Sequence, residues 1–117
     1  MQRFFQISAP TCIVLLAALS LLPGNMIIRT GLNTRLEHVI AYLGTTIVVF
    51  AAYRSRLPLS KLTTALIVYA GILEVGQNLS PGRHPSVLDF AASSLGVMAG
   101  TALFQLFSYR LHHRFGR

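Results

Sequence analysis

The apolar residues of this chain are gathered into four long runs, and this arrangement restricts the fold more than any other feature. The runs cover about residues 4–22, 34–53, 61–78 and 86–109. Each is close to the roughly 20 residues that a helix needs to cross the hydrocarbon core of a bilayer. The pattern therefore predicts an all-α integral membrane protein with four transmembrane helices, in a single domain over residues 1–117.

The scarcity of charge supports a membrane environment. Only 11% of the residues are charged, whereas a soluble domain usually carries about 25%. The net charge of +7 would suggest a nucleic-acid partner if the basic residues formed one soluble face. They lie instead at the ends of apolar runs, where they can meet anionic lipid head groups. We therefore expect a membrane lipid and no nucleic acid as partner.

Polar residues at the ends of the runs predict where the helices begin. Thr34 and Glu37 fit a capping box, in which each side chain satisfies a backbone donor of the first turn. Ser60 is the predicted N-cap of the third helix. Ser86 and Asp89 form a second capping-box pattern at the start of the fourth helix.

The first apolar run admits a second interpretation, a cleaved signal peptide. Arg3 would supply its positive n-region, and the segment Ala18-Leu19-Ser20 resembles a cleavage site. Cleavage would leave three spans, with the termini on opposite sides of the membrane. We favour a retained helix because Pro10 is tolerated near the end of a span and the other helices need a packing partner.

The distribution of basic residues predicts the orientation in the membrane. Four spans form an antiparallel bundle and place both termini on one side, together with Arg3, Arg54, Arg56, Lys61, Arg110, Arg114 and Arg117. The opposite side carries Arg29, Arg35 and Arg83. Under the positive-inside rule the termini are cytoplasmic. All three acidic residues then lie at the extracytoplasmic side.

The sequence offers no metal or cofactor site. The single cysteine, Cys12, lies within the first apolar run, and His112 and His113 are adjacent in the basic C-terminal segment. Neither arrangement has the spacing of zinc ligands. A glycine-rich phosphate loop and a nucleophile elbow are also absent from the sequence.

The polar stretch from Glu74 to Asp89 is the predicted functional region. Glu74 and Gln77 share one face of the third helix, and Asp89 and Ser93 begin a stripe along the fourth. We expect these faces to meet in a pocket beneath the outer head groups, reached also by the second helix and by the loop before Ser86. The candidate ligand-binding residues are Glu37, His38, Glu74, Gln77, Arg83, Ser86, Asp89 and Ser93.

Several of these residues also have structural explanations. Capping accounts for Glu37 and Asp89, and an interfacial anchor role for His38. Gly96 and Gly100 have the spacing that lets two membrane helices approach closely, which predicts helix packing. An ionised glutamate in a span costs about 2.5 kcal/mol or more without a partner, so Glu74 predicts a functional site or, alternatively, a bridge to Arg83 in the following loop.

The polar residues together resemble a known family. The matching segments are Leu36-Glu37-His38-x-x-Ala41-Tyr42, Glu74-x-x-Gln77, Pro81-Gly82-Arg83-x-x-Ser86-x-x-Asp89 and Gly96-x-x-x-Gly100. Over about residues 32–103 this pattern resembles the VanZ-like family of small bacterial membrane proteins. Ser93 departs from it, because the family often has an asparagine there. The founding member is associated with teicoplanin resistance at the cell surface, so the resemblance implies a link to glycopeptide resistance or envelope maintenance.

Three functions are open at this point. The leading hypothesis is a pocket that binds an anionic lipid or envelope-precursor head group, with Arg83 pairing with phosphate. The second is a membrane enzyme acting on a lipid-linked substrate, with Glu74 or Asp89 as acid or base. The third is a structural or assembly role, in which the polar residues lock the helices and the protein meets a membrane-protein partner or another copy of itself. Binding is favoured over catalysis.

Overall fold

The protein is a bundle of four helices in a computed structural model that describes residues 1–23, 25, 31 and 33–116. The helices are α1 (Gln2–Leu21), α2 (Thr34–Tyr53), α3 (Leu59–Gly76) and α4 (Val87–Phe115). Each is long and apolar enough to cross a membrane, and the described residues contain no strand. The prediction of an all-helical protein with four candidate spans is therefore confirmed. Arg29 and Arg117, which entered the charge distribution, lie outside the described residues.

The helix ends differ from the predicted ones by a few residues. α1 already begins at Gln2, and α4 continues to Phe115 rather than ending near residue 109. No proline lies within α4 and no glycine lies between Gly100 and Gly116, and the basic residues of its last turn are favourable at the negative end of a helix dipole. α3 ends earlier than predicted, at Gly76, and passes into a 3₁₀ turn at Gln77–Leu79.

Two of the predicted N-caps are wrong. α2 is capped by Asn33, whose side-chain oxygen accepts a 2.9 Å hydrogen bond from the Arg35 backbone N–H. Asparagine is among the best capping residues and precedes Thr34, which becomes the first residue of the helix. The cap position of α3 is Pro58, without a side-chain bond, so Ser60 lies within the first turn. Proline suits this position because its fixed φ is compatible with entry into a helix.

The closest helix pair is α2 with α4, and two glycines of α4 allow the approach. A Cβ atom on Gly96 would lie 2.5 Å from the Val39 carbonyl oxygen, and one on Gly100 would lie 2.9 Å from Thr46 Cβ. The contact continues to the Phe50 and Phe104 rings, which meet edge to face with centroids 5.4 Å apart. The Gly96-x-x-x-Gly100 face is thus the face of α4 that packs against α2.

The remaining helices pack around this pair. The Gln2 side chain of α1 donates a 2.8 Å hydrogen bond to the Ala52 carbonyl of α2, and the Tyr69 hydroxyl of α3 donates to the Ile13 carbonyl of α1. The buried core comprises Ala9, Leu16, Tyr42, Val49, Phe50, Ala52, Leu62, Leu66, Ala70, Leu73 and Val97. Many large apolar side chains are exposed on the outside of the bundle, as expected for a surface that faces lipid.

Candidate functional site

Glu74 is a buried carboxylate in the last turns of α3. It is 7% exposed, and its Oε1 accepts a 2.8 Å hydrogen bond from the Ser86 backbone N–H. Within the described part of the chain, no basic side chain lies within ion-pair distance of this carboxylate. The predicted alternative, a salt bridge between Glu74 and Arg83, is therefore wrong. A buried charge is normally paired, so this arrangement is unusual.

Ser86 caps α4, but the second half of its capping box comes from another helix. The Ser86 hydroxyl accepts from the Asp89 backbone N–H at 3.4 Å, as the sequence pattern predicts. In a capping box the Asp89 carboxylate would bind the Ser86 N–H in return. Glu74 takes that donor instead, and Asp89 faces Arg35 of α2 at 3.7 Å from Nε. That ion pair is weak, because the two side chains are 20% and 55% exposed.

Arg83 is positioned by a tight turn between α3 and α4. The turn closes with a hydrogen bond from the Arg83 N–H to the Ser80 carbonyl, and Gly82 adopts a φ of +72°, which a glycine accommodates without strain. The guanidinium donates from Nε to the Leu22 carbonyl at 3.0 Å and from Nη2 to the Leu19 carbonyl at 2.6 Å. Arg83 thus satisfies carbonyls at the end of α1 that have no partner within the helix.

More buried polar groups lie at the end of the bundle where α3 is joined to α4, near Glu74. Gln77 is 3% exposed and Ser93 is 2% exposed. The Tyr42 hydroxyl on α2 has the hydroxyls of Ser93 and Ser20 as neighbours, and Glu74 also lies close enough to interact with it. Side chains from all four helices therefore contribute to one region of polarity inside the bundle.

His38 and Glu37 lie in the first turns of α2. His38 Nδ1 donates a 2.7 Å hydrogen bond to the Thr34 carbonyl, one turn earlier in the same helix. Both side chains are half-buried. Among the described residues, no hydrogen bond joins His38 to Glu74, so the structure does not bring these two predicted site residues together.

The sequence prediction missed two contributors to this region. Tyr42 belongs to the family-like pattern of the second helix but is not among the predicted site residues. Its hydroxyl group within an apolar span was the signal that could have identified it. Ser20 also has a hydroxyl within an apolar run, but only the docking of α1 brings it to Tyr42.

The buried side chains of this region are hydrogen-bonding groups of mixed type, and they do not form a cluster of metal-ligand residues within the described part of the chain. Among the described residues, no group of three His, Cys, Asp or Glu side chains could hold a metal ion. A shallow groove of about 360 Å³, lined by Ser60, Lys61, Thr64 and Ala65, lies at the opposite end of α3 and does not belong to this region.

No protein-family model, curated protein or solved structure matches this chain. The resemblance to the VanZ-like family therefore rests on the residue pattern alone and stays a prediction.

Proposed function

We propose that this chain is a multi-pass protein of the bacterial inner membrane whose extracytoplasmic end binds a phosphate-bearing head group, of a membrane lipid or a lipid-linked envelope precursor. One observation carries the proposal. Glu74 and Arg83 have opposite charges at the same end of the bundle, yet each is held by backbone groups and not by the other. Two charged groups that do not neutralise each other favour a ligand that carries charge itself.

Arg83 supplies the anion-binding group of the proposed site. A guanidinium has five N–H donors, and Arg83 uses two of them on α1 carbonyls, which leaves three. Its positive charge is not neutralised by a carboxylate among the described residues. A guanidinium matches phosphate geometry with two parallel hydrogen bonds, so the remaining edge of Arg83 suits a lipid phosphate.

The bundle is proposed to be antiparallel, with both termini in the cytoplasm. Contacts between helix ends support this arrangement: Gln2 at the start of α1 bonds to Ala52 near the end of α2, and Glu74 near the end of α3 accepts a hydrogen bond from Ser86 at the start of α4. A fluorescent protein fused after Gly116 should then fluoresce, and alkaline phosphatase fused there should stay inactive. Active alkaline phosphatase at that position would overturn the orientation.

Lipid binding is tested by mass spectrometry of lipids that copurify with the detergent-solubilised protein. We expect Arg83→Ala to lose a phospholipid or lipid-linked precursor that the wild type retains. Arg56→Ala is the matched control, because it removes the same charge from an exposed position at the other end of the bundle. Arg83→Lys keeps the positive charge at this position. The stability of the Arg83→Ala and Arg83→Lys variants in detergent shows whether a loss of lipid reflects lost phosphate binding or lost folding. Unchanged lipid content in a folded Arg83→Ala variant would contradict the proposal.

A structural role is the second candidate, and specific contacts favour it. Ser80 donates a 2.7 Å hydrogen bond to the Leu21 carbonyl, so the loop holds the end of α1 through both Ser80 and Arg83. If this is the whole function, the variants will lower stability while lipid content stays constant. The link to glycopeptide resistance or envelope maintenance follows from the resemblance only. It is checked by comparing teicoplanin susceptibility with and without expression of the chain.

A further inference from the structure

We infer that the head group bound at this end carries an N–H donor next to its phosphate, and that Glu74 accepts the hydrogen bond of this donor. The inference rests on the proposed function and narrows its ligand to a phosphate with a primary ammonium group, the chemistry of phosphoethanolamine. It differs from simple anion binding, because Arg83 alone would accept any phosphate.

The first argument is the unmet hydrogen-bonding capacity of Glu74. An ionised carboxylate has about four acceptor positions, and the Ser86 N–H occupies one of them. No basic side chain of the described residues supplies the missing positive charge. An ammonium group supplies that charge and three donors at once, and so removes the reason why a buried carboxylate is unfavourable.

The second argument is the composition of the surroundings. The hydroxyls of Tyr42 and Ser93 and the carboxamide of Gln77 are buried at this end of the bundle and are uncharged. They can accept further N–H donors from a ligand but cannot balance the carboxylate. A purely anionic head group would bring a second negative charge towards Glu74, which is repulsive in a region of low dielectric constant.

The third argument is the distance between the two charged residues. Arg83 precedes Ser86 by three residues, so their Cα atoms lie at most about 11 Å apart. Ser86 is itself in contact with Glu74. The phosphate partner and the ammonium partner therefore both adjoin the short segment from Arg83 to Ser86, at one end of the bundle.

The inference is tested in nanodiscs of defined composition, with bound lipid quantified by native mass spectrometry. Phosphatidylethanolamine and phosphatidylcholine have the same phosphate, but the choline nitrogen has no N–H donor. We expect the wild type to prefer phosphatidylethanolamine about tenfold, the factor expected from one charged hydrogen bond. Phosphatidylglycerol should bind less well than phosphatidylethanolamine because it is anionic. Soluble glycerophosphoethanolamine is added as a competitor to distinguish two sources of the ligand. Displacement of the lipid would show that the free head group is sufficient for binding, and no displacement would show that the intact lipid is required.

Glu74→Gln is the decisive variant. Glutamine keeps an oxygen that can accept the Ser86 N–H, so the fold is maintained while the charge is removed. We expect this variant to bind both lipids about equally, and Arg56→Ala to keep the preference of the wild type. Equal binding of the two lipids by the wild type, still lost in Arg83→Ala, would overturn the inference and leave the proposed function standing. Absence of any bound lipid would overturn both.

Discussion

The Glu74 carboxylate of α3 accepts a 2.8 Å hydrogen bond from the backbone N–H of Ser86, the N-cap of α4. An orphan donor at the start of one helix is thereby satisfied by a side chain of another helix. The bond fixes the start of α4 against the end of α3, on either side of the loop that carries Arg83. It also leaves Asp89, the partner that the local sequence pattern predicts, to face Arg35.

This bond predicts different effects for two substitutions of Glu74. Glu74→Gln should change the free energy of unfolding little, because the amide oxygen can still accept from Ser86. Glu74→Leu should destabilise the protein by about 1–3 kcal/mol, because it leaves a half-buried N–H unpaired. Unfolding in detergent micelles measures both values. Equal stability of the two variants would show that the bond does not contribute.

The contact between α2 and α4 predicts that a single methyl group on Gly96 is harmful. Gly96→Ala would place Cβ 2.5 Å from the Val39 carbonyl oxygen, a backbone atom that moves only with the helix. We expect a loss of about 1–3 kcal/mol, as for other overpacked sites. Gly44→Ala on α2 is the matched control, since nothing lies within 4 Å of its added Cβ. Alanine there should be neutral or stabilising by up to about 1 kcal/mol.

The two hydrogen bonds of Arg83 predict that this residue holds the end of α1. Arg83→Ala should destabilise the protein by about 1.5–3 kcal/mol, the range for hydrogen bonds to charged groups. Amide hydrogen exchange should increase in the last turn of α1 and remain unchanged in α2. Arg56→Ala should leave both quantities at their wild-type values. Faster exchange throughout the bundle would instead indicate general loss of folding.

The same contacts predict that α1 stays attached, in contrast to the signal-peptide interpretation. Leu19, Leu21 and Leu22 accept hydrogen bonds from Arg83 and Ser80 through their carbonyl oxygens. Cleavage near Ser20 would separate these acceptors from most of α1. We expect the intact mass of the purified protein to include residues of α1. A mass that begins after Ser20 would disprove this prediction.

The pair of Arg35 and Asp89 should contribute little to stability. The charged atoms are 3.7 Å apart, and the Arg35 side chain is 55% exposed. A double-mutant cycle with Arg35→Ala and Asp89→Asn should give a coupling energy of about 0–1 kcal/mol. High salt should reduce it further. A coupling well above this range would mean that the pair is more strongly desolvated than its exposure indicates.

The sequence by itself determined the class of the protein and the number of candidate spans. This was possible because the length of an apolar run and the absence of charge within it are local properties that a bilayer selects directly. The sequence also indicated that Gly96 and Gly100 could admit a neighbouring helix, because their spacing places them on one face. Their partner, α2, could not be read from that spacing.

Only the tertiary structure decided how the polar residues are paired. Sequence proximity suggested Arg83 as the partner of Glu74 and Asp89 as the partner of the Ser86 N–H. In the folded chain Glu74 binds Ser86, and Arg83 reaches carbonyls of α1 more than 60 residues earlier. Helical periodicity gives the face on which a side chain lies. The rotation and depth at which four helices dock determine which donor meets which acceptor, and these follow from packing over the whole bundle.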